Sequence, residues 1–209
     1  MSTVVKNKNK VKKQTKRQRI PKYLIYEMRK GSPIYYRDYD KVISGEKTLE
    51  EVMGSSELQA FFVILISNYL YNKLKNKYFI LGNEVGFKFS PRSWYNLDIA
   101  IIEKEKLKKP TNKYLTVAPK VVIEIDTKAD LRKFENPQDY FHRKTQDLLD
   151  SGVEKVIWIF TKDRKVWVAE KNKRWIITDW NDTIDVIDGL ALNIEDLLKK
   201  EGIDYKTED

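Results

Sequence analysis

The sequence predicts an α+β or mixed α/β fold in which a mixed β-sheet is flanked by helices. Three observations predict it. A helix-forming stretch, Glu57–Lys75, precedes a switch to strand-like periods. Two later runs, LDIAII at 97–102 and VVIEI at 121–125, are apolar on both faces, as the central strands of a covered sheet are. A second helix then opens at Pro137, between strand-like runs.

In chain order, residues 1–20 read as a disordered basic arm and residues 21–209 as one domain, since no Gly/Ser linker or internal repeat divides them. Ile34–Lys47 is a short lead-in segment ending in a turn at Gly45. Ser55 or Ser56 caps the first long helix. Its apolar residues Leu58, Phe61, Phe62, Leu65 and Tyr69 approximate helical spacing, and its middle is apolar nearly all round, which predicts packing on more than one side. Strands follow at Phe79–Leu81, Val85–Phe89, Leu97–Ile102 and Val121–Ile125, the last two separated by a long loop. The second helix runs from Pro137 to about Ser151, where Gly152 ends it. Strands Lys155–Thr161 and Lys165–Glu170 are joined by a tight turn at Lys162–Arg164, with a further strand at Arg174–Thr178. A short helix, Asn193–Lys200, closes the domain.

Composition narrows the chemistry. The absence of cysteine excludes disulfides, thiolate zinc sites and cysteine nucleophiles, and one histidine, His142, makes an imidazole metal cage implausible. No secretory signal is visible, and the most apolar run, Phe61–Ile66, falls far short of the roughly 20 residues of a membrane span, so a cytoplasmic setting is the default. Of the net charge of +9, residues 1–19 carry +8 with no acid, leaving the rest close to neutral. A basic, unpatterned arm on a near-neutral domain predicts contact with nucleic acid, through Lys12, Lys13, Lys16, Arg17 and Arg19 among others.

Two acids, Asp98 and Glu124, interrupt the dense apolar strands, and a buried charge demands a compensating group. On neighbouring strands they would bring two carboxylates to one hard cation, and oxygen ligands in small number suit Mg²⁺, or Mn²⁺ in its place. Such a metal would polarise a phosphodiester and acidify a bound water.

At these residues the chain resembles the PD-(D/E)xK nuclease superfamily, and within it the Uma2-type restriction endonuclease-like proteins. The resemblance rests on the helix carrying Glu57, the Asp98 strand with its tail IAII, and Pro119-Lys120-Val121-Val122-Ile123-Glu124. It continues through Asp139 and Lys144 to Gly152-Val153-Glu154-Lys155-Val156-Ile157-Trp158-Ile159. It implies a restriction-endonuclease-like core, metal held by Asp98, Glu124 and Glu57, and a homodimer acting on DNA. The motif departs at one point: two residues after Glu124, where the family places its lysine on the same face of the strand, stands Asp126. Lys128 and Lys144 are the two candidate replacements, and Asp126 itself is a candidate third carboxylate for the metal.

The expectation is therefore a metal-dependent endonuclease hydrolysing DNA phosphodiesters, with Asp98, Glu124 and Lys128 or Lys144 as its catalytic residues. The alternative is a catalytically degenerate nuclease fold serving as a nucleic-acid-binding module, which Asp126 favours.

Overall fold

Capping chemistry fixes the long helices. The computed structural model describes residues 19–204. In chain order it contains strands β1 (Ile25–Arg29) and β2 (Ser32–Tyr35), helices α1 (Tyr39–Ser44), α2 (Leu49–Met53) and α3 (Glu57–Leu74), and strands β3 (Tyr78–Ser90) and β4 (Ser93–Glu103). Helix α4 (Lys104–Leu107), β5 (Val121–Ile125), α5 (Pro137–Asp150), β6 (Lys155–Phe160) and β7 (Lys165–Glu170) follow. The chain closes with β8 (Ile176–Asp179), β9 (Ile184–Ile187), β10 (Leu190–Leu192) and α6 (Ile194–Lys200). Ser56 caps α3 by accepting from Gln59 N, and Asn136 caps α5 by accepting from Asp139 N, with Pro137 pre-set for the first turn. Gly152 (φ +106°) turns the chain out of α5, and Val153 N returns to Leu148 O at 3.1 Å.

The main sheet runs β2-β1-β4-β5-β6-β7-β8, with β3 paired along β4. Only β5 and β6 pair in parallel, connected through α5, and the other pairs are antiparallel. The sheet separates two apolar layers. On one side Phe62, Ile66, Leu70 and Leu74 of α3 pack on Ile99, Ile101, Ile123 and Ile125. On the other, Tyr140, Leu148 and Leu149 of α5 pack on Ala100, Ile102, Val122, Val156 and Trp158. Each large side chain so buried contributes about 1.5–3 kcal/mol relative to exposure. The mixed sheet flanked by helices is the architecture the apolar runs predict.

Several elements differ from the sequence expectation. Phe79–Leu81 and Val85–Phe89 belong to one strand, β3, because Asn83 and Glu84 at positive φ make an irregularity inside a continuous pairing with β4. The β1–β2 hairpin and the β9–β10 pair are strands with no counterpart in the sequence expectation. Helix α3, by contrast, packs on more than one flank as its apolar middle predicts, against the sheet and the β10–α6 region, while Ile64 and Tyr71 on its outer face are exposed. The basic arm lies outside the described residues except for Arg19 and Ile20, and Arg19 is exposed.

Candidate active site

The antiparallel register between β4 and β5 brings the two interrupting acids together. Ile99 pairs with Ile123 and Ala100 with Val122, so one step along the ladder sets Asp98 opposite Glu124. Cross-strand neighbours on one face hold their Cβ atoms about 4.5–5.5 Å apart. Asp98 Oδ2 accepts from Ile125 N at 2.7 Å. The pair is buried, Asp98 at 5% and Glu124 at 1% exposure.

Helix α5 supplies the cation. Lys144 Nζ lies 3.1 Å from Glu124 Oε1, donates to Glu27 Oε1 at 2.7 Å and to the Asn96 carbonyl at 2.9 Å, and is itself 1% exposed. The Lys144 ammonium is the counter-charge of the buried Glu124 Oε1. Glu27, on β1, is saturated by Lys144, by the Tyr140 hydroxyl at 2.8 Å and by Asn96 N at 3.3 Å. The ring faces of Tyr95 and Trp158 complete the surroundings of the ammonium, each centroid 5.5 Å away.

Two carboxylates, Glu27 and Glu124, thus hold one ammonium, and Asp98 lies close enough to feel its charge. Burial pushes the Asp98 carboxyl up to about 6, against the lowering effect of the Ile125 N–H and Lys144. Burial also drives Glu124 well above the usual carboxylate range, only partly offset by Lys144, while Asp98 and Glu27 push it further up. Glu27 is raised by burial too. Burial pulls Lys144 down, but Glu124 and Glu27 outweigh it and hold the ammonium charged.

The other candidate residues fall elsewhere. Glu57 is exposed in the first turn of α3, and the residue of that turn that reaches the sheet is Gln59, whose amide donates to Ile125 O at 3.0 Å. Asp126 leaves the strand in a left-handed conformation (φ +52°), and its oxygens accept from Thr161 N and Oγ1 at 2.9 and 2.5 Å, so the turn carries it away from the carboxylate pair. Lys128 donates to the Met53 carbonyl at 2.9 Å and pairs with Glu84 from the β3 irregularity; both charges are close enough to act on Asp98. Of the two candidate lysines, Lys144 is the one that touches Glu124. Lys12, Lys13, Lys16 and Arg17 lie outside the described residues.

Sequence reading missed Glu27. The signal that marked the other two acids was present, an acid inside the run YLIYEM, but the segment did not read as a strand. Glu84 and Gln59 carried no comparable signal.

The remaining donors fit a hard divalent cation. Asp98 and Glu124 are two adjacent carboxylates sharing one close ammonium, and Mg²⁺ is commonly held by one or two carboxylates with water and substrate oxygens. Among the described residues no group of three or more His, Cys, Asp or Glu forms a ready-made cage. Nor is any described helix long and apolar enough to cross a membrane.

No protein-family model and no curated protein matches the sequence. A solved structure does: a candidate nuclease belonging to DUF820 from Anabaena variabilis, 18% identical, superimposes with a TM-score of 0.52 over 68% of this chain and 78% of that one. The likeness shows a shared fold, a mixed sheet of antiparallel and parallel strands flanked by helices.

Proposed function

We propose that the chain is a metal-dependent phosphodiesterase of the nuclease type acting on DNA. The observation that carries the reading is the Asp98–Glu124 pair on adjacent strands with Lys144 Nζ 3.1 Å from Glu124 Oε1. Asp98 and Glu124 would hold Mg²⁺ or Mn²⁺, which polarises a phosphodiester and lowers the pKa of a nearby water. Lys144 is charged and held by Glu27, Glu124 and the Asn96 carbonyl, so its field would be pre-organised toward the charge that develops on phosphate oxygens. Glu27 holds that ammonium in place, and the Ile125 N–H orients Asp98. The arm would add sequence-independent attraction to the phosphate backbone. A homodimer follows from the same reading, since cutting both strands of a duplex takes two sites.

Plasmid cleavage by the purified full chain with Mg²⁺ or Mn²⁺ tests the proposal, alongside Asp98→Ala and metal binding by calorimetry. Cleavage abolished by Asp98→Ala is the expected result. No cleavage together with no metal binding favours a nucleic-acid-binding module instead, which the burial of the whole centre and the departure of Asp126 would then explain.

A further inference from the structure

A cavity of about 480 Å³ opens where the parallel strands β5 and β6 end, bordered by Asp126–Lys128 and Phe160–Lys162. The carboxyl ends of parallel strands are where open α/β sheets characteristically bind ligands. The lining starts two residues beyond Glu124, within about 7 Å along an extended chain. Its opposite wall comes from residues 37–59, and backbone pairing joins the two: Arg37 N donates to Lys128 O at 2.7 Å and Asp130 N to Tyr35 O at 2.8 Å.

The cations of this cavity are not equivalent. Lys47 pairs with Asp38 and Lys128 with Glu84. Among the described residues no carboxylate pairs with Arg37 or Lys162, and the Arg37 guanidinium is anchored only on the Thr127 carbonyl at 2.5 Å. The carboxylates of Asp126 and Glu51, which also line the cavity, are hydrogen-bonded to Thr161 and to Thr48 N and keep their charge. Arg37 and Lys162 are therefore the two lining cations outside a direct ion pair among the described residues. Beside them stand two partly exposed aromatic rings, Phe141 and Phe160, 5.1 Å apart and edge to face.

We propose that this cavity binds one nucleotide of a single-stranded or unpaired polynucleotide, Arg37 and Lys162 taking its phosphate and the Phe141–Phe160 wall its base. The proposal rests on the nuclease reading and names its substrate class. Size favours one nucleotide: the cavity of about 480 Å³ lies within the roughly 300–1,000 Å³ of small-ligand pockets. Aromatic faces accept any base, so the subsite selects strand state and not sequence.

Fluorescence anisotropy in EDTA, with a labelled oligodeoxynucleotide and a blunt duplex of the same length, tests this on the full chain. The single strand should bind at least tenfold tighter than the duplex. The Arg37→Ala/Lys162→Ala double variant should lose roughly ten- to a hundredfold for the single strand, the range for charge-assisted hydrogen bonds, and much less for the duplex. Lys162→Ala alone removes an exposed side chain and serves if the double variant is misfolded. Equal affinity for both probes, or a Lys162→Ala variant that binds single strand like wild type, overturns the proposal. Because EDTA removes any metal, failure of the phosphodiesterase reading shows separately, as absent metal binding and absent cleavage with this strand preference intact.

Discussion

Lys144 Nζ sits 2.7 Å from Glu27 Oε1, an ion pair spanning 117 residues of sequence with both partners essentially inaccessible to solvent. Removing one partner of a buried pair leaves the other charge uncompensated, at a cost of about 3–5 kcal/mol. Glu27→Leu should therefore lower stability by that amount in denaturant titration, and Glu27→Leu/Lys144→Met should recover most of it. A loss below about 1 kcal/mol for Glu27→Leu would show that Lys144 does not depend on this partner.

The two lysines that could replace the motif lysine have separable consequences. Lys144 contacts Glu124, whereas Lys128 ties the end of α2 to the β3 irregularity. Lys144→Met should lower kcat by about 10²–10³, the size of effect seen when one pre-organised electrostatic donor is removed, with metal binding retained. Both substitutions should lower the melting temperature, since each breaks an ion pair, but Lys128→Met should change kcat little. Variants are compared by circular dichroism before the kinetics, and a larger kcat loss for Lys128→Met would reverse the assignment.

Legibility followed burial and sequence distance. Asp98 and Glu124 stood out because an acid inside an apolar strand is energetically conspicuous, and their pairing followed from strand adjacency. Glu27 obeys the same rule, yet β1 is short and pairs with β4 through a segment far away in sequence, so no local period marked it. Alternation placed the residue at 126 on the Glu124 face; the left-handed turn there breaks the alternation, and φ is not visible in a string of letters. Lys144 versus Lys128 was undecidable for a related reason: which lysine arrives depends on how α5 docks on the sheet.

The basic arm makes its own prediction, from charge alone. Residues 1–19 carry eight cations and no acid. Each phosphate they neutralise adds about 0.7–0.9 to the slope of log K against log salt. Deleting residues 1–19 should flatten that slope by several units in filter-binding or anisotropy titrations, leaving any metal binding at Asp98 and Glu124 unchanged. An unaltered slope would mean that the arm does not touch the nucleic acid.

The burial of Asp98 gives stability a pH dependence of unusual sign. Its carboxyl titrates near 3.8 when exposed and about 6 in the fold, so between these values the native state binds the extra proton. Stability should then fall as pH rises from about 4 to 6, by roughly 3 kcal/mol at about 1.4 kcal/mol per pH unit, and stay low above 6. Glu124 and Glu27, also raised by burial, act in the same direction. Carboxylates held low by salt bridges, such as Asp40 at about 2, lose their contribution only below that window, so the two effects separate. Denaturant midpoints in EDTA at pH 4.5 and 7 measure the difference, and Asp98→Asn should remove the Asp98 share of it. A divalent cation competes with the same proton, so Mn²⁺ should raise the melting temperature more at pH 7.5 than at pH 5. Equal stabilisation at both values would place the metal away from Asp98.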